Sequence, residues 1–289
     1  MQYFILGSTG NIGSYLYKRL RSDGYNAVGT SRSAVDEDRL YYDIQSSNID
    51  NLLKKADKKE KKIAIVCIAE SNINRCHENY DEAYDINVVK TKKLIHKLSG
   101  NGFHVIYFSS DNVFDGECGN YTEESPTHPV NKYGMMKAEM EQYILQNTPE
   151  ICILRIPKVV SILKEKQNVF TEWLNQAELG SISCIKGNII SFVCIEDIYQ
   201  ACLIVAEKKM QGLYNIAGDK AYSRAGLAEI FYKKLGVSDV DIRECDVEEF
   251  HFKDNRSLDT SMSNMKFKSE TGYQFMGMDV VIEKFIRNI

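Results

Sequence analysis

The chain has 289 residues, of which 44% are hydrophobic, and its formal net charge is −4 at pH 7. That length is sufficient for a full α/β domain and a smaller lobe, and the slight acidity excludes the strongly basic surface typical of nucleic-acid or anionic-membrane partners. No stretch approaches ~20 consecutive apolar residues, and Met1 leads directly into a predicted strand without a targeting pattern. The eight cysteines are scattered and form no Cys-x-x-Cys pair. We therefore expect buried reduced thiols, no metal site, no membrane span and a cytoplasmic location.

The first predicted elements are a strand, a glycine-rich turn and a helix. The strand is the short apolar run from Tyr3 to Leu6, and apolar residues recur at helical spacing after residue 11. Between them, Gly7, Gly10 and Gly13 stand in the spacing Gly-x-x-Gly-x-x-Gly. Glycines let the backbone approach a diphosphate, which the free N–H groups and the positive dipole end of the helix can bind. The stretch predicts a dinucleotide-binding turn, and the alternative is an ordinary strand-loop-helix connection that needs glycine for its turns.

A second predicted strand, at residues 25–30, is followed directly by Ser31 and Arg32. At this position in dinucleotide-binding folds an acid bonds to a free ribose 2′-OH, whereas an arginine meets a 2′-phosphate. No acid follows the strand before Asp36, so Arg32 favours NADPH over NADH. The alternative for Arg32 is a loop arginine that faces solvent.

The rest of the chain alternates between strands and helices. We expect further strands at 63–68, 104–108, 189–193 and 212–217, and helices at about 78–98, from about 131, and at 169–179, 195–208, 223–235 and from 279. Residues 69–71 continue the third strand. They should pass beside the diphosphate and ribose of the cofactor, because small residues cross the carboxyl edge of the sheet there.

Another informative stretch follows the fourth predicted strand. It places Ser110 at the carboxyl edge of the sheet, and Tyr133 and Lys137 follow at i and i+4 on the next predicted helix, where they share one face. Hydroxyls at a strand end are commonly turn formers, and a Tyr-x-x-x-Lys pair alone is a frequent chance match. The joint occurrence of Ser110, Tyr133 and Lys137 behind a dinucleotide turn favours a catalytic group.

Together these motifs resemble the extended short-chain dehydrogenase/reductases, and most closely their dTDP-4-dehydrorhamnose reductase branch. The resemblance continues through residues 109–116, 121–123, 129–134, 153–155, 192–198 and 256–260, so it spans nearly the whole chain. It implies an α/β fold, with a Rossmann-like doubly wound parallel sheet and a smaller C-terminal α/β lobe that binds substrate. We expect the Rossmann domain at 1–157 with 191–217, and the substrate lobe at 158–190 with 218–289.

The resemblance implies an NADPH-dependent reduction of a keto group on a nucleotide-linked deoxysugar, with NAD as a second candidate cofactor. Tyr133 would donate the proton, Lys137 would bond the cofactor ribose and lower the tyrosine pKa from its reference of ~10, and Ser110 would hold the carbonyl oxygen. The expected cofactor-binding residues are Gly7, Thr9, Gly10, Asn11, Ile12, Gly13, Ser31, Arg32, Asp43, Ile44, Ile68, Ala69, Glu70, Asn87, Tyr133 and Lys137.

Some residues depart from the branch. Asn112 stands where the branch usually has tyrosine, residues 156–161 lack its aromatic-rich pattern, and residues 187–191 lack its proline-threonine pair. These positions lie toward the sugar in related enzymes. The substrate therefore need not be the rhamnose precursor.

Three other functions are compatible with the same fold. A sugar-nucleotide 4,6-dehydratase carries Asp-Glu where this chain has Asp111-Asn112, and an amide cannot shuttle the required proton. An epimerase usually retains NAD, which Arg32 disfavours. A non-catalytic NADP-binding regulatory subunit remains open, because the regulatory beta subunit of methionine adenosyltransferase resembles the same branch. The expected partners are a nucleotide-sugar substrate and a second copy of the chain in a homodimer, with no nucleic acid and no membrane.

Overall fold

A computed structural model describes residues 1–33, 39–57, 59–165 and 168–289, so Asp36 lies outside the described residues. The chain forms two compact units. The first unit consists of Met1–Ser109, Met135–Leu154 and Tyr199–Leu213, and the second consists of Ser110–Gly134, Arg155–Ile198 and Tyr214–Ile289. The domain division expected from the sequence stays a prediction.

The described strands are, in chain order, β1 (Gln2–Leu6), β2 (Asn26–Ser31), β3 (Arg39–Tyr41), β4 (Lys62–Val66), β5 (Phe103–Ser110), β6 (Cys152–Ile156), β7 (Val159–Val160), β8 (Ser181–Ile185), β9 (Ile189–Ile190), β10 (Val193–Cys194), β11 (Gly212–Asn215), β12 (Tyr222–Ser223) and β13 (Asp241–Cys245). The described α-helices are α1 (Asn11–Ser22), α2 (Asp50–Lys54), α3 (Ile73–Glu78), α4 (Tyr80–Tyr84), α5 (Thr91–Gly100), α6 (Lys132–Asn147), α7 (Val169–Ala177), α8 (Ile195–Lys208), α9 (Arg224–Leu235), α10 (Met265–Thr271) and α11 (Met278–Arg287).

The central sheet has the strand order β11-β6-β5-β4-β1-β2-β3. β1 pairs in parallel with both β2 and β4, and β3 and β5 extend the sheet in parallel on either side. All five residues of β1 are buried, as expected for a strand covered on both faces. The strand order reverses between β1 and β4, and a ligand crevice lies at such a switch point in doubly wound folds. The predicted Rossmann-like α/β fold is confirmed.

The long helix predicted at about 78–98 corresponds to continuous helical structure over residues 80–100, but the prediction is wrong in its regularity, and it missed the short helix α3 that precedes it. The Asn72 side chain accepts a hydrogen bond from the Arg75 N–H at 3.1 Å and caps α3, which ends at the non-helical Asn79. Between α4 and α5, residues Asp85–Lys90 form a π-helix. There the Thr91 hydroxyl donates to the Ile86 carbonyl, five residues earlier, at 2.7 Å. Helical periodicity in the sequence could not reveal such a widened turn, which often marks a functional position.

The second unit has its own apolar core, formed largely by aromatic rings. Phe170 stacks on Phe231 with centroids 5.3 Å apart, and Trp173 and Phe285 contact the same ring at 5.7 Å and 6.0 Å. Small sheets cover this core, with β7 paired to β10, β9 to β12, and β8 to β13. The sequence analysis did not predict β7, β8, β12 or β13. The strand predicted at 189–193 is two short strands, β9 and β10, in different sheets.

The described residues contain no disulfide. Of the eight cysteines, Cys118 is exposed, which corrects the expectation of buried thiols. Cys67 and Cys245 are half-buried, and the other five are buried. No helix in the described part of the chain has the length and apolar composition needed to span a bilayer.

Candidate active site

The glycine-rich turn connects β1 to α1. Gly7 has φ of +91°, in the left-handed region that favours glycine, and its N–H donates to the Thr30 hydroxyl of β2 at 3.0 Å. A Cβ on Gly13 would lie 2.2 Å from the Gly7 carbonyl oxygen, so only glycine lets α1 start this close to the turn. Gly10 is the N-cap and, as a glycine, has no side chain that could cap this helix. The helix N-terminus therefore faces the turn with its backbone N–H groups.

A cavity of 240 Å³ lies at the carboxyl ends of β1, β2 and β4, next to this turn. Its lining includes nine of the predicted cofactor-binding residues: Gly7, Thr9, Gly10, Ser31, Arg32, Ile44, Ile68, Ala69 and Glu70. Its other described lining residues, which the sequence analysis missed, are Thr30, Tyr42, Cys67, Arg75, Asn79, Glu82, Ala83 and Ile86. Six other described residues of this unit that were predicted to bind the cofactor do not line the cavity: Asn11, Ile12, Gly13, Asp43, Asn87 and Lys137.

One end of the cavity combines a cation with apolar side chains. Arg32 is exposed and follows β2, whereas Tyr42 and Ile44 are each only 7% exposed. The Asp43 carboxylate accepts from the Gln45 N–H at 3.1 Å and from the Ser46 hydroxyl at 3.0 Å, so it stabilises its own turn. A flat apolar wall beside an arginine fits an adenosine that carries a 2′-phosphate.

Lys137 is almost completely buried in the first unit, with 4% of its surface exposed. Its Nζ donates to the Phe108 carbonyl at 2.8 Å and to the Tyr107 hydroxyl at 3.2 Å. Burial lowers the pKa of Lys137 from 10.5 to about 8, and Glu141 opposes this shift. The ammonium is therefore fixed in place at the end of β5.

Ser110 begins a hydrogen-bonded network in the second unit. Its Oγ donates to Asp111 Oδ1 at 2.9 Å and accepts from the Asn112 side chain at 3.2 Å. Asp111 Oδ2 accepts from the Thr260 hydroxyl at 2.8 Å. Burial raises the pKa of the Asp111 carboxyl, and these donors oppose the shift. The network orients the Ser110 hydroxyl that the sequence analysis selected, and Thr260 is a member that it missed.

The motif residues after Asn112 form a loop that the C-terminal motif holds in place. The Tyr121 hydroxyl accepts from the backbone N–H groups of Gly116, Glu117 and Cys118 at 3.0–3.1 Å. The Ser257 hydroxyl donates to the Phe114 carbonyl at 2.8 Å. These contacts bring residues 256–260, which lie far from the predicted catalytic residues in sequence, to the loop that follows Ser110.

Tyr133 lies in the first turn of α6 and is half-buried, with Lys137 one helical turn further along. Asn131, just before the helix, accepts from the Gly134 N–H at 2.8 Å and caps this turn. A Cβ on Gly134 would lie 2.0 Å from the Asn112 carbonyl oxygen. Only glycine at position 134 therefore lets α6 start this close to the backbone of Asn112, two residues after Ser110.

Comparisons with known proteins agree with this geometry. The model of the RmlD substrate binding domain family matches residues 1–289. The chain is 27% identical over 238 residues to methionine adenosyltransferase 2 subunit beta of Xenopus laevis, covering 78% of this chain and 69% of that protein. It is 25% identical over 242 residues to the probable low-salt glycan biosynthesis reductase Agl14 of Haloferax volcanii, covering 82% of this chain and 81% of that protein.

The fold is similar to that of the dTDP-4-dehydrorhamnose reductase from Bacillus anthracis, solved in complex with NADP, with a TM-score of 0.86, 20% identity and 100% coverage of both chains. A structural likeness at 20% identity shows the fold alone. The family is shown by the family model that matches residues 1–289. The chain belongs to the RmlD substrate binding domain family, which confirms its predicted place among the extended short-chain dehydrogenase/reductases, near the dTDP-4-dehydrorhamnose reductase branch.

Proposed function

We propose that this protein uses NADPH to reduce a keto group on a nucleotide-activated sugar. The observation that carries the proposal is the cavity at the sheet switch point, where Gly7, Arg32 and Ala69 follow three neighbouring strands. The same chain supplies the hydroxyl, phenol and ammonium that such a reduction requires, in Ser110, Tyr133 and Lys137.

The cavity residues fit a dinucleotide with a 2′-phosphate. The backbone N–H groups at the start of α1 and the hydroxyls of Thr9 and Ser31 suit phosphate oxygens. Arg32 can pair with the 2′-phosphate, and Tyr42 and Ile44 give an apolar wall for the adenine. These assignments favour NADP, and NAD stays the second candidate.

We assign each catalytic residue one role. When bound, NADPH supplies the hydride for the carbonyl carbon. The Tyr133 hydroxyl donates a proton to the developing alkoxide. The Ser110 hydroxyl orients the carbonyl oxygen by turning its single O–H from Asp111 Oδ1 to that oxygen. The Lys137 ammonium, held by the Phe108 carbonyl, bonds the ribose and favours the phenolate of Tyr133 as a nearby cation.

A second candidate is a non-catalytic NADP-binding subunit. Its support is the 27% identity to a methionine adenosyltransferase subunit, which exceeds the 25% identity to a glycan biosynthesis reductase. An epimerase has less support, because Arg32 lines the cavity and such enzymes usually hold NAD. We also propose a cytoplasmic location, because the described residues contain no disulfide, and a homodimer as the assembly.

The deciding experiment is a screen of dTDP-, UDP- and GDP-linked 4-keto sugars for NADPH consumption. The proposal predicts that at least one of them is reduced, and that the substrate needs its nucleotide part. Binding of NADPH is measured in parallel by fluorescence. If NADPH binds while none of the sugars is consumed, the non-catalytic subunit becomes the better account.

A further inference from the structure

Two phenylalanines and an arginine form an aromatic platform on the loop that follows β13. The rings of Phe250 and Phe252 are parallel within 4°, with centroids 5.6 Å apart. The guanidinium carbon of Arg256 lies 4.2 Å from the centroid of Phe252. Both rings are only half-buried, so part of each ring is accessible to solvent. This paired aromatic surface lies in a loop that is otherwise polar.

The loop holds the platform in a defined shape. Arg256 donates from Nη1 to the carbonyls of Asp254 and Asn255 at 2.9 and 3.2 Å, so its side chain folds back over its own loop. At the 3₁₀ turn Val247–Phe250, Glu249 Oε1 accepts from the Asp246 N–H at 3.0 Å, and the Glu249 N–H donates to the Asp246 carbonyl at 3.1 Å. Rings held in this way lose little conformational entropy when a flat ligand binds.

Hydrogen bonds connect this loop to the proposed catalytic residues within the second unit. Asp254 Oδ2 accepts from the N–H of Lys132, the first residue of α6, at 2.8 Å. The Asn131 side chain donates to the carbonyl of Asn255 at 3.4 Å and to Asn112 Oδ1 at 3.2 Å. Asn112 in turn donates to Ser110. The platform is thus linked through two asparagines to the hydroxyl proposed to hold the substrate carbonyl.

We propose that Phe250, Phe252 and Arg256 bind the nucleobase of the nucleotide-linked substrate. A base presents a flat π-face that stacks on phenylalanine, and a guanidinium over an aromatic ring adds a cation to the same surface. The positive charge of Arg256 also suits the diphosphate that follows the base. The inference rests on the proposed function, because a nucleotide-linked sugar is the substrate that brings a base to this loop.

Titration of UDP, dTDP and GDP by calorimetry tests the platform without requiring turnover. Saturating NADP is present, so that the cofactor cavity is filled and the diphosphates report on the second unit. The test variant is Phe252→Leu, which keeps an apolar side chain and removes the ring. The matched control is Tyr80→Leu, because Tyr80 is 37% exposed and pairs with Tyr84 in the first unit at 5.7 Å.

We expect at least one diphosphate to bind the parent protein, and Phe252→Leu to weaken it roughly 5- to 100-fold, the scale of one lost base stack. Tyr80→Leu should bind it like the parent. Inorganic pyrophosphate, which has no base, should bind Phe252→Leu and the parent equally. If Phe252→Leu and the parent bind the diphosphates with equal affinity, the platform proposal is wrong and the reductase proposal stands. The same holds if Phe252→Leu loses as much affinity for pyrophosphate as for the nucleoside diphosphates. If the parent binds NADPH and none of the diphosphates, the nucleotide-sugar proposal itself is wrong.

Discussion

Asn87 and Glu70 exchange two hydrogen bonds, because the Asn87 carboxamide accepts from the Glu70 N–H and donates to the Glu70 carbonyl, each at 2.8 Å. Asn87 is 2% exposed and lies in the π-helix, whereas Glu70 lines the cavity at the end of β4. One buried side chain thus satisfies both backbone groups of a cavity residue. The predicted contact of Asn87 with cofactor stays a prediction, and its hydrogen bonds give it a positioning role.

We expect Asn87→Ala to weaken NADPH binding although Asn87 lies outside the cavity lining. The substitution leaves the Glu70 N–H without its side-chain acceptor, and it leaves the Glu70 carbonyl with only the weak Cys76 thiol donor at 3.3 Å. Such a loss costs ~1–3 kcal/mol. It should therefore lower both the thermal unfolding temperature and the NADPH affinity. Asn79→Ala is the matched control, since Asn79 is exposed at the cavity wall, and it should leave the unfolding temperature near that of the parent. If Asn87→Ala unfolds at the same temperature as the parent, Asn87 does not position Glu70.

Arg32→Ala should abolish a preference for NADPH over NADH. Loss of a charge-assisted contact with the 2′-phosphate costs ~1.5–3 kcal/mol, which weakens NADPH by about 10- to 100-fold and leaves NADH unchanged. Calorimetric titration of both cofactors measures this. Arg75→Ala is the control, because Arg75 also lines the cavity but forms a salt bridge with Glu70 at 3.3 Å. If the preference for NADPH disappears in Arg75→Ala and persists in Arg32→Ala, then Arg75 binds the 2′-phosphate and the assignment to Arg32 is wrong.

Gly13→Ala should disrupt the cofactor turn. Its Cβ would lie 2.2 Å from the Gly7 carbonyl oxygen, so the turn or α1 must move. We expect lower stability and at least tenfold weaker NADPH binding, measured by urea unfolding and fluorescence. Gly100→Ala in α5 is the matched control, since its Cβ would meet no atom within 4 Å, and it should be neutral or stabilise by ~0.5–1 kcal/mol. If Gly13→Ala binds NADPH with the parental affinity, cofactor binding does not need the close approach of α1 to the Gly7 carbonyl.

The buried ammonium of Lys137 should make stability depend on pH in a defined window. Burial lowers its pKa from 10.5 to about 8. Between these two pKa values the unfolded chain binds a proton that the folded chain has released. The free energy of unfolding therefore rises with pH across this window. Below about pH 8 both states are protonated, and the folded protein bears the full cost of burying the charged ammonium. A difference of this size corresponds to ~3 kcal/mol.

Lys137→Met removes this titration. Urea unfolding of the cofactor-free protein at pH 7 and pH 10 should show the parent gaining up to ~3 kcal/mol relative to the variant. The same variant should bind NADPH more weakly, because the ammonium is proposed to bond the ribose. Parallel pH dependence in the two proteins would mean that Lys137 titrates in its ordinary range.

The sequence predicted the parts of the site that are encoded locally. The apolar run before Gly7 and the helical spacing after it identify a strand-turn-helix unit, and Arg32 follows its strand directly. The Tyr133 and Lys137 pair is likewise set by one helical turn. In each case a few adjacent residues determine both the element and the position of the side chain.

Other parts depend on contacts between distant residues. Thr260 bonds Asp111 across 149 positions, and no local pattern connects them. The π-helix that carries Asn87 looks like continuous α-helix in the sequence, because one widened turn barely alters the apolar spacing. Tyr42 lines the cavity because β3 brings the following residues beside β2, and this three-residue strand was not predicted.

The central claim is that Tyr133 is the proton donor of a reductase. With a 4-keto nucleotide sugar as substrate, Tyr133→Phe keeps the ring and removes the hydroxyl, so turnover should fall about 10²–10⁴-fold while NADPH affinity stays near the parental value. Tyr143→Phe, in the same helix α6, is the matched control and should turn over like the parent. The kcat of these two variants, measured beside NADPH binding and circular dichroism, is the most direct test. A folded Tyr133→Phe that binds NADPH and reduces the substrate at the parental rate would contradict the account.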